Sequence, residues 1–215
     1  YFPYNEKYDF ETLLTKKKTK SILWVGRLIN WKHPDAALRL AKQLKEHKID
    51  FRLDIIGTGI MEKQLRKFVF ENKLNDCVSI HESMNPDEVR QYMRNAGIFI
   101  VTSDFNEGWG AVVNEAMNSS CAVVASHAVG SVPYLLNDGH NGITYINQNE
   151  KQLFNIVKNL LNNPVEQQKL GRNAYITIKE MWNAEIAAER LLNLIQMLSN
   201  SKCHKFFYED GVCSK

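Results

Sequence analysis

The sequence predicts an α/β protein with a doubly wound parallel sheet and a run of helices at its C-terminal end. Continuous apolar runs, such as residues 97–102 and 121–126, have the length of strands that are buried on both faces. Helical patterns of about 10 to 14 residues separate these runs. Strands and helices that alternate in this way form βαβ units with parallel strands, so a Rossmann-like domain is expected.

Almost every predicted strand is followed by a helix. The strands are predicted at residues 21–26, 51–57, 77–81, 97–102, 121–126 and 142–146. The helices between them are predicted at residues 34–47, 60–72, 86–95, 110–119 and 132–136. Pro34 opens the first of these helices, and Asp87 and Glu88 lie in the first turn of the third, as helix starts prefer. Three further helices, at residues 150–162, 165–182 and 184–199, follow with no strand between them.

Composition and charge are those of an ordinary globular protein. Of 215 residues, 44% are hydrophobic and 24% charged, which excludes disordered, collagen-like and coiled-coil chains. The net charge of +3 gives no basic stripe, so no nucleic-acid partner is expected. No signal-peptide pattern and no apolar run of about 20 residues is present. The four cysteines form no C-x-x-C pair, so neither zinc nor another metal is expected, and we predict a reducing, cytoplasmic location.

The chain divides into three predicted regions. Residues 1–20 are expected to be a linker, in which Lys16, Lys17, Lys18 and Lys20 are solvated. Residues 21–199 form the Rossmann-like domain with its C-terminal helices. Residues 200–215 are polar and mixed, and we expect a loosely ordered tail.

Ligands of open parallel sheets bind beyond the carboxyl ends of the strands, so the loops that follow strands are the candidate site. The first of these loops places Arg27 and Lys32 close together in sequence. A guanidinium forks onto phosphate oxygens and an ammonium adds a point charge, which suits a diphosphate. The alternative is two ordinary surface bases.

The next two loops carry weaker signals. Gly57 and Gly59 permit close approach of a ligand to the backbone, but a plain turn explains them equally well. The third glycine of a dinucleotide fingerprint is replaced by Glu62. The loop that contains His81 and Ser83 is polar without readable spacing, and Asn85 in that loop is explained as a helix N-cap.

The loop after residue 102 is the most informative. Gly108 and Gly110 expose backbone N–H groups ahead of a predicted helix, an arrangement suited to anions. Glu107 precedes this turn and Glu115 lies on the helix beyond it. Two carboxylates that bracket a phosphate-binding turn suit a polyhydroxylated ligand with a diphosphate at its centre. The alternative is two surface acids. In the loop after residue 126, Gly130 fits a helix cap and a ligand contact equally well.

These residues together resemble the donor domain of glycosyltransferase family 4. The segments GRLINWK, IIGTG, EGWGAVVNEAM, CAVVAS and DGHNG have the order and spacing of that domain over about residues 20–195. The family signature is a pair of glutamates separated by seven residues, which here are Glu107 and Glu115. Trp109 departs from the phenylalanine common at its position, and residues 118–122 differ from the usual glycine-containing segment.

The resemblance implies a GT-B fold, whose two Rossmann-like domains face each other across a cleft, and makes this chain the C-terminal, donor-binding domain. It implies transfer that retains anomeric configuration without a metal. Arg27 and Lys32 match the residues that neutralise the leaving diphosphate. Glu107 matches the acid that holds the donor sugar, and Glu115 the acid that holds the ribose. The remaining predicted substrate-binding residues are Gly57, Gly59, His81, Ser83, Gly108, Trp109, Gly110, Ala111 and Val112.

The implied partners follow from this assignment. The donor is a nucleotide-sugar, with UDP favoured over GDP or ADP, and no separate cofactor is expected. An N-terminal domain, absent from this chain, would bind a glycan or lipid-linked acceptor, and the whole enzyme would contact the inner face of a membrane peripherally. We expect the 215-residue chain to bind donor and to transfer nothing alone. The alternatives are a non-catalytic nucleotide-sugar-binding module and, less well supported, a nucleotide-sugar epimerase.

Overall fold

The computed structural model describes residues 10–199 and 208–214. It confirms the predicted fold class, because a six-stranded parallel sheet has helices on both faces. The strands are β1 (Lys18–Val25), β2 (Arg52–Ile56), β3 (Val78–His81), β4 (Ala96–Val101), β5 (Ala122–Ser126) and β6 (Ile143–Tyr145). The helices are α1 (Phe10–Thr15), α2 (Pro34–Glu46), α3 (Glu62–Glu71), α4 (Pro86–Asn95), α5 (Val112–Asn118), α6 (Val132–Leu135), α7 (Glu150–Asn162), α8 (Pro164–Glu180) and α9 (Ala184–Ser199).

The strand order β3-β2-β1-β4-β5-β6 creates a switch point in the middle of the sheet. The chain winds outward from β1 to β3, crosses back to β4 beside β1, and then winds outward to β6. Ile22 and Leu23 of β1 are in register with Ile98 and Phe99 of β4. The loops that follow β1 and β4 diverge to opposite faces and leave a crevice between them, the usual ligand position in such sheets.

Each face of the sheet carries its own core. Ile22 and Trp24 lie on the face that α2, α3 and α7 cover. Leu23 and Phe99 lie on the opposite face, under α4, α5 and the later part of α8. Because successive side chains of a strand point to opposite faces, burial of both faces requires the continuous apolar runs seen in the sequence.

The N-terminal region differs from the predicted linker. Residues 10–15 form α1, whose Leu13 and Leu14 are buried, and β1 begins at Lys18. The side chain of Lys17 is not solvated, since its Nζ donates to the carbonyl oxygens of Met93 and Ser119 at 2.8 and 2.6 Å. The prediction of a linker is therefore wrong for residues 10–15 and 18–20, and the prediction of a solvated side chain is wrong for Lys17, whereas Lys16 is exposed as predicted. Residues 1–9 lie outside the described part.

The C-terminal end projects from the domain. No residue of α9 is buried, and Leu191, Leu192, Ile195 and Leu198 are exposed. The predicted loose tail falls partly at residues 200–207 and 215, outside the described residues. Residues 208–214 contact α9, where Arg190 donates to the carbonyl oxygen of Val212 at 3.0 Å. Across residues 10–199 and 208–214, no helix is long and apolar enough to cross a membrane.

Candidate functional site

The crevice brings together two residues that the sequence singled out separately. The ammonium of Lys32, from the loop after β1, forms an ion pair with the carboxylate of Glu107, from the loop after β4. Ser103 Oγ donates to the same carboxylate at 3.1 Å. Both members of the pair are largely buried, which strengthens their attraction relative to a surface pair. The site thus presents one cation and one acid at the centre of the sheet edge.

Thr102 connects the two loops beneath this pair. Its hydroxyl accepts from Trp24 Nε1 at 2.8 Å and faces the carbonyl oxygens of Lys32 and His33 at 2.7 and 2.9 Å. The side chain is only 2% exposed, so loss of the hydroxyl would leave these polar groups with one partner fewer. No motif in the sequence marks this threonine, because its partners are distant in the chain.

A second connection lies beside the first. His33 has a left-handed backbone (φ 48°), and its Nε2 lies 3.1 Å from Asp104 Oδ2. The backbone N–H of Asp104 donates to the carbonyl oxygen of Trp31 at 2.9 Å. Burial acts to raise the pKa of the Asp104 carboxyl, but hydrogen bonds from Asn106 and His33 outweigh it and hold the pKa below its usual value. The loop that carries Lys32 is thus fixed on both sides.

Arg27 lies at the rim of the crevice. Its guanidinium sits over the ring of Trp31, 5.7 Å from the centroid, and its side chain is exposed. Within the described residues no carboxylate is close enough to form an ion pair with Arg27. The structure therefore leaves this predicted phosphate-binding cation accessible to an incoming anion.

Gly57 and Gly59 support the loop that carries Arg27. Gly57 has φ 149°, and a Cβ there would lie 1.9 Å from the carbonyl oxygen of Gly26. A Cβ on Gly59 would lie 2.3 Å from the carbonyl oxygen of Leu28. The two glycines let neighbouring backbones pack against each other, so packing alone accounts for them. Their contact with a ligand stays a prediction.

The turn at residues 107–111 is held in place by contacts with the loop after β5. Gly110 has φ 71°, a conformation that favours glycine, and Gly108 is exposed with open space where a Cβ would be. A Cβ on Gly130, from the loop after β5, would lie 1.9 Å from the carbonyl oxygen of Gly108. The N–H of Ser131 donates to the carbonyl oxygen of Trp109 at 2.9 Å. Gly130 thus positions the turn, a role that only the tertiary contact shows.

Glu115 lies apart from the Lys32–Glu107 pair, in the first turn of α5. Burial raises the pKa of its carboxyl, and Arg90 opposes that change weakly. No ion pair to Glu115 is found in residues 10–199 and 208–214. Ala111 is exposed and Val112 half-buried at the start of the same helix. The structure therefore supplies a partly desolvated acid near the predicted anion-binding turn.

In the loop after β3, contacts within the protein account for two of the polar side chains. Asn85 caps α4, because its Oδ1 accepts from the N–H of Glu88 and its own N–H donates to Glu88 Oε2, both at 3.0 Å. This confirms the predicted N-cap. His81 Nε2 lies 2.8 Å from Asp54 Oδ1, so its side chain already has a protein partner. Ser83 is exposed. Ligand contact by His81 or Ser83 stays a prediction.

A doubly wound parallel sheet with a cation and an acid at its switch point defines the Rossmann-like class of α/β domains. The sequence profile described as glycosyl transferases group 1 matches residues 5–177, and the chain belongs to that family. An uncharacterized glycosyltransferase of Methanocaldococcus jannaschii is 31% identical over 151 residues, which cover 70% of this chain and 41% of that protein. The chain thus spans less than half the length of this relative.

Solved structures show the same fold. A C-terminal domain of a group 1 glycosyl transferase family protein (LpcC) from Francisella tularensis superposes with a TM-score of 0.70 at 21% identity, over 84% of this chain and 96% of that one. S. aureus TarM, in a complex with fondaparinux, α-GlcNAc-glycerol and UDP, gives a TM-score of 0.75 at 23% identity, over 83% of this chain and 36% of that one. These similarities confirm the Rossmann-like fold, one half of a GT-B architecture, that the sequence predicts.

Proposed function

We propose that this chain is the donor-binding domain of a retaining, metal-independent glycosyltransferase that uses a nucleoside-diphosphate sugar, with UDP favoured. The observation that carries the proposal is the contact between Lys32 and Glu107 at the switch point, with Arg27 free at its rim. A cation beside an acid suits a diphosphate joined to a hydroxyl-rich sugar. The UDP present in the TarM complex supports the choice of nucleotide.

The charges of the site suit the chemistry of transfer. When the bond between the sugar and the diphosphate breaks, negative charge grows on the leaving phosphate. Arg27 and Lys32, aimed at that position, would stabilise the transition state more than the ground state. Two fixed cations can perform the charge neutralisation that a divalent metal performs in other transferases. Glu107, held by Ser103 and Lys32, would accept hydrogen bonds from hydroxyls of the donor sugar.

The two glutamates have different environments, which supports different roles for them. Glu107 is charge-paired, whereas Glu115 is partly desolvated on α5. A glycosidase would instead direct two carboxylates at one anomeric carbon. We assign Glu115 to the ribose hydroxyls, as the family resemblance implies.

The whole enzyme requires more than this chain. Because the chain spans 41% of the length of the M. jannaschii relative, we propose that a second domain binds a glycan or lipid-linked acceptor and completes the cleft. That domain would supply any contact with the inner membrane face. The 215-residue chain would bind donor without transferring the sugar.

Calorimetric titration with UDP, GDP and ADP tests the proposal. Binding is expected to release heat, because a diphosphate carries several oxygens for the two cations of the site. UDP is expected to bind most tightly of the three, since the TarM complex contains UDP. Addition of EDTA is expected to leave UDP binding unchanged. Absence of binding by all three nucleotides would contradict the proposal, and abolition by EDTA would contradict its metal-independent part.

Binding of UDP-glucose is expected to weaken as the pH falls, starting above the pH at which an ordinary glutamate titrates. Only ionised Glu115 accepts hydrogen bonds from both ribose hydroxyls, and burial raises its pKa, so protonation begins early. UDP-glucose is chosen because its diphosphate, esterified at both ends, keeps a constant charge in this range. Glu115→Gln is the control.

The glutamine variant is expected to bind more weakly at neutral pH and to lose most of this pH dependence. Calorimetry across a series of buffers measures both. A pH dependence that is unchanged in Glu115→Gln would assign the titrating group to another residue and would contradict the role given to Glu115.

A further inference from the structure

We infer that the side chains of Trp109 and Tyr134 form a separate sugar-stacking subsite, which takes a neutral pyranose ring of the acceptor glycan. The inference rests on the proposed function, because it supplies the second sugar that a transferase needs. It goes beyond that function by assigning part of acceptor recognition to this chain.

The two rings form an exposed and ordered surface. Trp109 is 41% and Tyr134 62% exposed, and the rings stack with centroids 5.8 Å apart and an interplanar angle of 26°. Trp109 Nε1 donates to Oδ1 of the buried Asn114 at 2.9 Å, which fixes the indole. Trp182 packs on the same indole with its ring centroid at 5.8 Å. An aromatic surface held in this way loses little conformational entropy when a ligand binds.

The side chains of this surface and those of the donor site contact different elements of the fold. Glu107 and Trp109 are two residues apart, yet the Glu107 side chain contacts Lys32 on the loop after β1. The Trp109 side chain contacts Tyr134 of α6 and Trp182, just before α9. A ligand on the aromatic pair would therefore use side chains other than Lys32 and Glu107 and would not compete with the donor for them.

The chemistry of the pair selects the ligand class. A pyranose ring has a face of C–H groups, which packs on an aromatic ring, and a rim of hydroxyls, which need polar partners. Trp109 contacts two aromatic rings and one amide, and these uncharged groups suit a neutral ligand. Tyr134 also has a hydroxyl to which no described residue is hydrogen-bonded. Aromatic side chains with a polar end are well suited to such amphipathic ligands.

Saturation-transfer difference NMR with the full chain tests the inference, with maltotriose and tri-N-acetylchitotriose as probes and UDP present. At least one probe is expected to receive saturation at the ring C–H protons of one sugar unit. Tyr134→Ala is expected to weaken that binding about fivefold. Trp109→Phe, which keeps a ring but loses the bond to Asn114, is expected to weaken it less. Phe105→Ala is the matched control, because Phe105 is 72% exposed but packs against His127.

The outcomes separate the two proposals. If UDP binds but neither trisaccharide shows transfer, or if Tyr134→Ala and Phe105→Ala have equal effects, the aromatic subsite is overturned and the donor site stands. If the trisaccharide signal depends on Tyr134 while UDP does not bind, the sugar subsite is supported and the donor assignment fails. Calorimetry with UDP on each variant provides the second reading, and circular dichroism of each variant shows whether the fold is intact.

Discussion

Arg27→Ala is expected to weaken UDP binding on the order of a hundredfold, or about 2.7 kcal/mol. Charge-assisted hydrogen bonds from guanidinium to phosphate are among the strongest polar contacts that a side chain makes. Arg27 has no carboxylate partner in the described part of the chain, so its charge is available to the ligand. Calorimetric titration of wild type and variant with UDP measures the difference.

Arg27→Lys separates charge from geometry. A lysine keeps the positive charge but cannot form the paired hydrogen bonds of a guanidinium, so an intermediate loss is expected. A loss as large as that of the alanine variant would show that the fork geometry carries the affinity. A loss near zero would show that charge alone suffices.

The control for Arg27 must be a lysine without a structural role. Lys17 is unsuitable, because its ammonium is hydrogen-bonded to two backbone carbonyls inside the domain. Lys16 is exposed and precedes β1 at the end of the strand opposite to the crevice. Lys16→Ala is therefore expected to change UDP binding less than about twofold. Equal losses in Arg27→Ala and Lys16→Ala would place the diphosphate elsewhere on the protein.

The parts of the fold that the sequence predicts are those in which local pattern and tertiary structure agree. β4 and β5 were predictable because every residue in them is buried and apolar or small. The cap at Asn85 was predictable because it depends on Glu88, three residues away. The sequence placed Lys32 and Glu107 in loops at the same edge of the sheet, but their ion pair was not predicted, because it depends on β1 lying beside β4.

The parts that the sequence does not predict depend on contacts between distant segments. Lys17 looked like one of four solvated lysines, and only the packing of α1 and β1 brings its ammonium to Met93 and Ser119. Thr102 has its role because a tryptophan of β1 and the carbonyl groups of Lys32 and His33 converge on it. No spacing of residues in the sequence predicts that these three segments contact one another.

These distant contacts make the site a preformed one. Thr102 and Asp104 fix the loop of Lys32, Gly57 and Gly59 allow close packing under Arg27, and Gly130 braces the turn after Glu107. When the charges and amides of a site are already fixed, less conformational entropy is lost on ligand binding. The loops that carry the charges are therefore held by residues that need not touch the ligand.

Gly130→Ala is expected to destabilise the protein and to displace the turn at residues 107–111. An alanine Cβ would lie 1.9 Å from the carbonyl oxygen of Gly108, which is backbone and cannot rotate away. The turn at residues 107–111 would have to move by about 1 Å or more, at a cost of about 2–4 kcal/mol in the free energy of unfolding. Urea denaturation followed by circular dichroism measures that loss.

The same displacement would move Glu107 and the amides beyond it, so UDP binding is expected to weaken about tenfold or more even where the variant is folded. Gly108→Ala is the matched control for stability, because it adds a methyl group to the other side of the same contact, where the structure has open space. It is expected to change the free energy of unfolding by less than about 1 kcal/mol. If the two variants have equal free energies of unfolding, the turn can move at little cost. The close contact at Gly130 would then not hold the turn in place.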